Sequence, residues 1–198
     1  MKLTALIENA LDELLTRIRG TLVVVNNGHL GAGAGVLAGD GLVLTNNHVA
    51  GNGHGLQVTL DNGGAYKAQV VKRNSDADLA LLQIAEHEHP GAIFTSQEPR
   101  PGEMVFAYGH PWGQRNVLTG GVLSAVTTAR TRKGELKILR SDVQLAPGNS
   151  GGPLLNASGE VVGLNAMIFG GDQSVAIPAS KIREFLEDVR KTVPEDVT

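Results

Sequence analysis

The sequence predicts an all-β chain, two small antiparallel barrels in tandem with an amphipathic helix at each end. Three observations carry that expectation. Glycine is abundant, 26 of 198 residues, while aromatics make up only 4%, a composition suited to tight turns and short strands. Between Thr21 and Ile177 the apolar runs are short and are separated by Gly, Asn and Asp clusters, as in antiparallel sandwiches and barrels. The segment Ser96–Gly102, with Pro99 and Pro101, has linker composition and divides these runs into two groups. A chain of this length forms one domain or one compact pair of lobes. It can bury a core without a disulfide or a metal.

The elements follow in order. In Met1–Arg19, Leu3, Leu6, Ile7, Ala10, Leu11, Leu14, Leu15 and Ile18 recur at helical spacing, with Glu8, Asp12, Glu13 and Arg17 on the other face and Gly20 as a stop. This is an amphipathic helix, expected to pack on the body of the chain, with an oligomer contact or a partner-binding role as the alternative. The first barrel, over about 20–98, takes the runs Thr21–Asn26, Ala34–Ala38, Leu42–Thr45, Leu56–Leu60, Ala65–Lys72 and Asp78–Ile84. The second, over about 99–178, takes Met104–Tyr108, Arg115–Thr128, Glu135–Ser141, Glu160–Ile168 and Ser174–Ile177. A closing helix over Ala179–Lys191 places Ile182, Phe185, Leu186 and Val189 on one stripe.

Composition also excludes. The net charge of −3 and pI near 6.1 give no electrostatic footprint for nucleic acid or for an anionic membrane. The absence of cysteine removes thiol catalysis and a disulfide scaffold and fits a reducing compartment. The uncharged stretch Gly20–Gly39 carries Asn26, Asn27, His29 and scattered glycines, which suit a hydrocarbon span poorly. A secretory signal needs a basic start and an unbroken apolar run, and the acids of the first helix break any such run. The chain as it stands therefore reads as cytoplasmic, or as periplasmic or secreted if an upstream segment is removed.

The strongest chemical signal is Pro147-Gly148-Asn149-Ser150-Gly151-Gly152-Pro153-Leu154. Glycines around a serine let the backbone turn sharply and present Oγ, and bring successive N–H groups toward one oxygen. Attack on an amide or ester carbonyl needs such donors for the developing oxyanion. The expected hole is Gly148–Asn149–Ser150, with the N–H groups of Gly148 and Ser150 as donors. Serine also needs a base and an acid that orients the base. His48, in Leu44-Thr45-Asn46-Asn47-His48-Val49, and Asp78, in Asp78-Leu79-Ala80-Leu81-Leu82, supply both from the first strand group. A histidine beside a strand, or an aspartate opening one, is ordinarily structural, and it is their joint occurrence with the serine loop that makes the case. The site would lie between the barrels.

These three motifs resemble those of trypsin-fold serine proteases, and more closely the HtrA/Deg group. Gly109-His110-Pro111-Trp112-Gly113, Thr119-Gly120-Gly121-Val122-Leu123-Ser124 and Ala176-Ile177-Pro178 extend the similarity from about Gly20 to Glu187. The resemblance implies two six-stranded barrels and a serine endopeptidase with a Ser150-His48-Asp78 triad, acting on unfolded or flexible protein or peptide, without cofactor or metal. Asp78 is preferred to Asp76 because the group's acid directly precedes a Leu/Ile-Ala pair, and Asp76 is left as a solvated turn residue. Asn149 stands where digestive enzymes carry an aspartate that receives a freed N-terminal amine, so activation by trimming is not implied.

By position, the group's primary pocket would be lined by Leu145, Ile168 and Val175, and substrate would pair as an added strand near Asn165. Gln144 occupies the place of a trypsin-type carboxylate. Small or medium aliphatic side chains are therefore expected at the cleavage position. Relatives often form trimers, and a monomer is equally compatible with the sequence. The group commonly continues into a PDZ domain, and this chain reaches Thr198 soon after its last helix, so no PDZ function is carried over.

Other features read more simply. Gly31-Ala32-Gly33-Ala34-Gly35 lacks dinucleotide-loop spacing and suits close backbone packing. Glu86-His87-Glu88-His89 reads as a solvated connection before a metal site, and His110 with Trp112 as the shaping of a turn. A non-catalytic binding or chaperone-like module on a protease fold is the competing function.

Overall fold

The structure is a computed structural model that describes residues 3–28, 31–85, 91–166 and 174–190. Two antiparallel sheets make up its body. The first runs in the order β5-β4-β1-β2-β3-β7-β6, from β1 (Leu22–Asn26), β2 (Ala32–Gly39), β3 (Leu42–Asn46), β4 (Gln57–Thr59), β5 (Ala65–Lys67), β6 (Gln69–Asn74) and β7 (Leu79–Gln83). The second is a closed six-stranded barrel in the order β10-β13-β12-β11-β8-β9. Its strands are β8 (Met104–Gly109), β9 (Val117–Thr131), β10 (Gly134–Ser141), β11 (Pro153–Asn156), β12 (Val161–Asn165) and β13 (Ser174–Pro178).

The unbroken apolar runs of the sequence arise because key strands are buried on both faces. Side chains alternate across a strand. In β7, Leu79 and Leu81 enter one apolar cluster while Ala80 and Leu82 enter another. Leu44 and Val43 of β3 divide in the same way, and so do Phe106 with Tyr108 against Val105 with Ala107 in β8. One cluster fills the first sheet, one fills the second barrel, and the largest lies between them.

The first sheet has seven strands, and its edges are two stretches of one segment. Only Ala68 separates β5 from β6, and its N–H donates to Leu56 O at 3.0 Å. The sheet thus curls on itself, and the single run expected over Ala65–Lys72 is divided where the chain passes from β4 to β7. β9 pairs first with β8 and then with β10, and continues to Thr131 because a tight turn pairs Thr131 with Gly134. β11 was not legible as a strand. It holds two leucines after a proline, too few to show alternation, and its pairing with β8 and β12 makes it one.

Helix α1 (Leu3–Ile18) buries Leu14 and Ile18 in the inter-sheet cluster, with Leu11 and Leu15 against it. Arg17 Nη1 donates to Ser158 O at 3.1 Å. Packing on the body holds for the second half of the helix only. Leu3 and Ile7 are 71% and 52% exposed. Helix α3 (Ala179–Arg190) buries Ile182 and Phe185 in the same cluster. Lys72 of β6 donates to Phe185 O at 3.0 Å and stands 4.9 Å over the Phe185 ring, tying the first sheet to the last helix. Among the described residues no helix is long and apolar enough to cross a membrane.

Candidate active site

β3 ends at Asn46, and the chain turns directly into the short helix α2 (Asn47–Ala50), which carries His48. Asn46 pairs with Leu79 across the sheet, so Asp78, one residue before β7, arrives beside that helical turn. His48 Nδ1 lies 2.7 Å from Asp78 Oδ2, and the His48 N–H donates to Asp78 Oδ1 at 2.9 Å. A carboxylate facing Nδ1 places the proton on that nitrogen and leaves Nε2 with its lone pair. The Asp78 carbonyl accepts from Asn46 Nδ2 and from the Asn47 N–H, each at 3.0 Å. Asp78 is buried and has φ 52, a backbone state that is uncommon outside glycine. Four hydrogen bonds to its side chain and carbonyl hold it there.

Ser150 lies in the loop that leads from β10 to β11. The Ala34 N–H of β2 donates to Ser150 O at 2.8 Å, and Gly151 N–H donates to Asn165 O at 2.9 Å. Three glycines are sterically required, among them Gly152, where a Cβ would lie 2.4 Å from Tyr108 O. At Gly148, with φ 106, a Cβ would lie 2.2 Å from His110 O, and at Gly151, with φ 84, it would lie 2.1 Å from Ala34 O. His48 and Ser150 line one cavity of about 240 Å³ with Gly33, Val49, Pro147 and Gly148. Its walls come from β2 and α2 on one side and from the second barrel's loop on the other, the inter-barrel position expected. Gly33 permits this approach, since a Cβ there would meet Ser150 O at 3.0 Å and Val49 Cγ1 at 2.7 Å.

Around Ser150 the N–H groups divide. Those of Asn149, Gly151 and Gly152 are taken by Ala146 O, Asn165 O and Asn149 O. Among the described residues those of Gly148 and Ser150 donate to no protein acceptor. Asn149 therefore brings no donor to the expected hole. It is buried, and its Oδ1 has no partner among the described residues.

The expected substrate pocket is placed less simply. Leu145 is half-buried against the second barrel's cluster, and Val175 is buried. Asn165 is fully enclosed: its N–H donates to Gly152 O, its carbonyl accepts from Gly151, and its side-chain amide donates to Pro153 O. Its backbone is thus occupied by the nucleophile loop. Ile168 lies outside the described residues, as does the Glu86–His89 cluster. Among the described residues no three metal-ligating side chains come together. Asp76, expected as a solvated turn residue, pairs with Lys133 Nζ of the second barrel's β9–β10 turn at 2.7 Å.

Three residues that shape the site were not singled out as functional. Asn46 and Asn47 supply donors to Asp78, and Arg73 Nη1 holds Asn47 Oδ1 at 2.8 Å. The only sequence signal was the paired asparagines before His48. Nothing local to Arg73 announces a contact made across 26 residues.

The trypsin-like peptidase domain profile matches residues 32–164, from β2 to β12, including His48, Asp78 and Ser150. The chain belongs to the trypsin-like peptidase family. Among curated proteins, this trypsin-like peptidase is 38% identical over 159 residues to the serine protease HTRA1 of Xenopus laevis, covering 77% of this chain and 35% of that protein. It is 36% identical to the mitochondrial serine protease HTRA2 of Bos taurus, covering 76% and 34%. The chain thus spans about a third of the length of these relatives. Its structure resembles that of a serine endoprotease from Yersinia pestis, with TM-score 0.78 and 29% identity over 90% of this chain and 65% of that one.

Proposed function

We propose that this trypsin-like peptidase is a serine endopeptidase acting on unfolded or flexible protein through an acyl-enzyme. The observation that carries the reading is a histidine held at 2.7 Å by a buried aspartate, in one cavity with a serine whose own N–H and that of Gly148 meet no acceptor among the described residues. The names of the HtrA relatives and of the Yersinia pestis protein agree with it.

In this mechanism Ser150 Oγ attacks the scissile carbonyl as His48 Nε2 takes its proton, and the resulting imidazolium then protonates the leaving amine. Asp78 fixes the tautomer and ring orientation and offsets the charge that forms on His48. The N–H groups of Gly148 and Ser150 receive the oxyanion. A water repeats the sequence on the ester. Gln144 offers no carboxylate for a cationic side chain, and Leu145 and Val175 are apolar. Small or medium aliphatic residues would therefore precede the cut.

Cleavage-site mapping on a denatured protein mixture tests the function and the preference together. Cuts after Ala, Val and similar residues, absent with Ser150→Ala, are the expected result. Equal cutting by Ser150→Ala, or none by the wild type, would overturn it.

A further inference from the structure

Helix α2 carries His48, yet at four residues it is too short to hold itself in place. Asn46, at its N-cap position, makes no side-chain cap bond. Its position comes from neighbours. At its start the Asn47 N–H donates to the Asp78 carbonyl and the His48 N–H to Asp78 Oδ1. Toward its end the Val49 carbonyl accepts from Asn27 Nδ2 at 2.9 Å. The third neighbour is Arg73 of β6.

Sheet register brings Arg73 there. Asn74 and Asn46 pair with Leu79 from its two sides, and Arg73 pairs with Ala80, so Arg73 stands across β7 from the chain that leaves β3. Its Nη1 donates to Asn47 Oδ1 at 2.8 Å, in a half-buried contact. A hydrogen bond from a charged donor is the stronger kind. Its Nη2 lies against Gly53, where a Cβ would stand 2.9 Å from it. The Gly53 N–H donates to Ala50 O at 3.0 Å and so closes the turn that ends α2. The planar guanidinium therefore spans the helical segment from its first residue to that turn. A lysine ammonium is a point charge and would reach only one of the two contacts.

The contact bears on the acid through one peptide plane. The Asn47 carbonyl and the His48 N–H share that plane, so a backbone rotation at Asn47 swings the His48 N–H away from Asp78 Oδ1. That hydrogen bond fixes the turn of the carboxylate that sets Oδ2 at 2.7 Å from His48 Nδ1.

We propose that Arg73 is a positioning residue for the His48–Asp78 pair, bracing α2 through Asn47 and so aligning the Asp78 carboxylate with the His48 ring. The proposal rests on the serine endopeptidase reading, in which that pair serves Ser150. Its test is the rate of Ser150 acylation by a fluorophosphonate in Arg73→Ala, Asn47→Ala and the double variant. Each single variant should slow acylation by about ten- to a hundredfold, as for a base displaced but still present. The double variant should be no slower than the slower single one, because both changes remove one contact. Arg73→Lys, which keeps one donor, should recover part of the rate. Lys72→Ala removes the neighbouring tie of β6 to Phe185 O. It should lower the denaturation midpoint and leave the rate unchanged.

The ¹H resonance of the His48 Nδ1–H reports the alignment without any reaction. It should be sharp and far downfield in the wild type and in Lys72→Ala, and broadened by solvent exchange in Arg73→Ala. Acylation at the wild-type rate in Arg73→Ala overturns the brace, as does an unchanged resonance. Losses that multiply in the double variant, or equal slowing in Lys72→Ala, overturn it too. If Arg73→Ala does not fold, Asn47→Ala and Arg73→Lys carry the same test. A wild type that is not acylated, with the resonance broadened in Arg73→Ala as expected, overturns the endopeptidase reading and leaves the hold of Arg73 on the pair standing.

Discussion

Hydrogen bonds converge on Asp78 from three consecutive residues, Asn46, Asn47 and His48, so the acid and the base are fixed as one unit. Under the proposed mechanism, Ser150→Ala or His48→Ala should each lower turnover by roughly 10⁴–10⁶ with the fold intact. Asp78→Asn, which presents the wrong partner to Nδ1, should lower kcat by about 10⁴. Steady-state kinetics with circular dichroism as a fold control checks all three. Asn149 allows a different test. Its Oδ1 is buried without a partner among the described residues, so a carboxylate there would be an unpaired buried charge. Asn149→Asp should lose about 3 kcal/mol at neutral pH. Burial raises such a group's pKa, so protonation restores stability, and denaturant midpoints should converge with the wild type as pH falls from 7 to 4. A constant deficit across that range would contradict the argument.

The loop from β10 to β11 is a device of clearances. Gly148→Ala would drive a methyl against His110 O, 2.2 Å away, displacing an N–H proposed to hold the oxyanion. It should lower kcat by roughly 10²–10³ while KM changes little. Helix α1 predicts a contrast along its length. Leu14→Ala, in the inter-sheet cluster, should cost about 3 kcal/mol, whereas Leu6→Ala, on the exposed half, should stay within about 0.5 kcal/mol. Chemical denaturation of the pair measures both.

Most strands were legible because their apolar runs are bounded by Gly, Asn and Asp turns, and the His48, Asp78 and Ser150 contexts were legible as motifs. What escaped depends on distance. The division at Ala68 is imposed by which neighbour each half meets, and β11 is made a strand by its partners. The enclosure of Asn165 results from the fold of a loop that lies near it only in space. Local sequence holds no record of these.

At the scale of the molecule, the two bodies meet through a large apolar cluster and a few polar ties, among them Asp76 with Lys133, Arg115 with Leu60 O and Lys72 with Phe185 O. His110 sits at this junction, buried, with Nδ1 accepting from the Asn116 N–H at 3.2 Å. Burial first, and Arg115 second, push its pKa down to about 4 from an ordinary 6.5. The unfolded chain therefore binds the proton more readily between those values. Stability from this group is whole above pH 6.5 and is lost as pH falls toward 4, by about 3 kcal/mol. His110→Gln should flatten the fall of Tm over that window, and parallel wild-type and variant curves would refute the assignment.

That junction also frames the cavity of His48 and Ser150, so under the proposed mechanism activation of Ser150 depends on the whole assembled body. Labelling with a fluorophosphonate probe, followed by peptide mapping, tests this most directly. The prediction is modification at Ser150 alone, absent in Ser150→Ala, slowed by several orders of magnitude in His48→Ala and abolished by prior unfolding. Labelling that spares Ser150 in the folded wild type, while a control serine protease reacts, would contradict it.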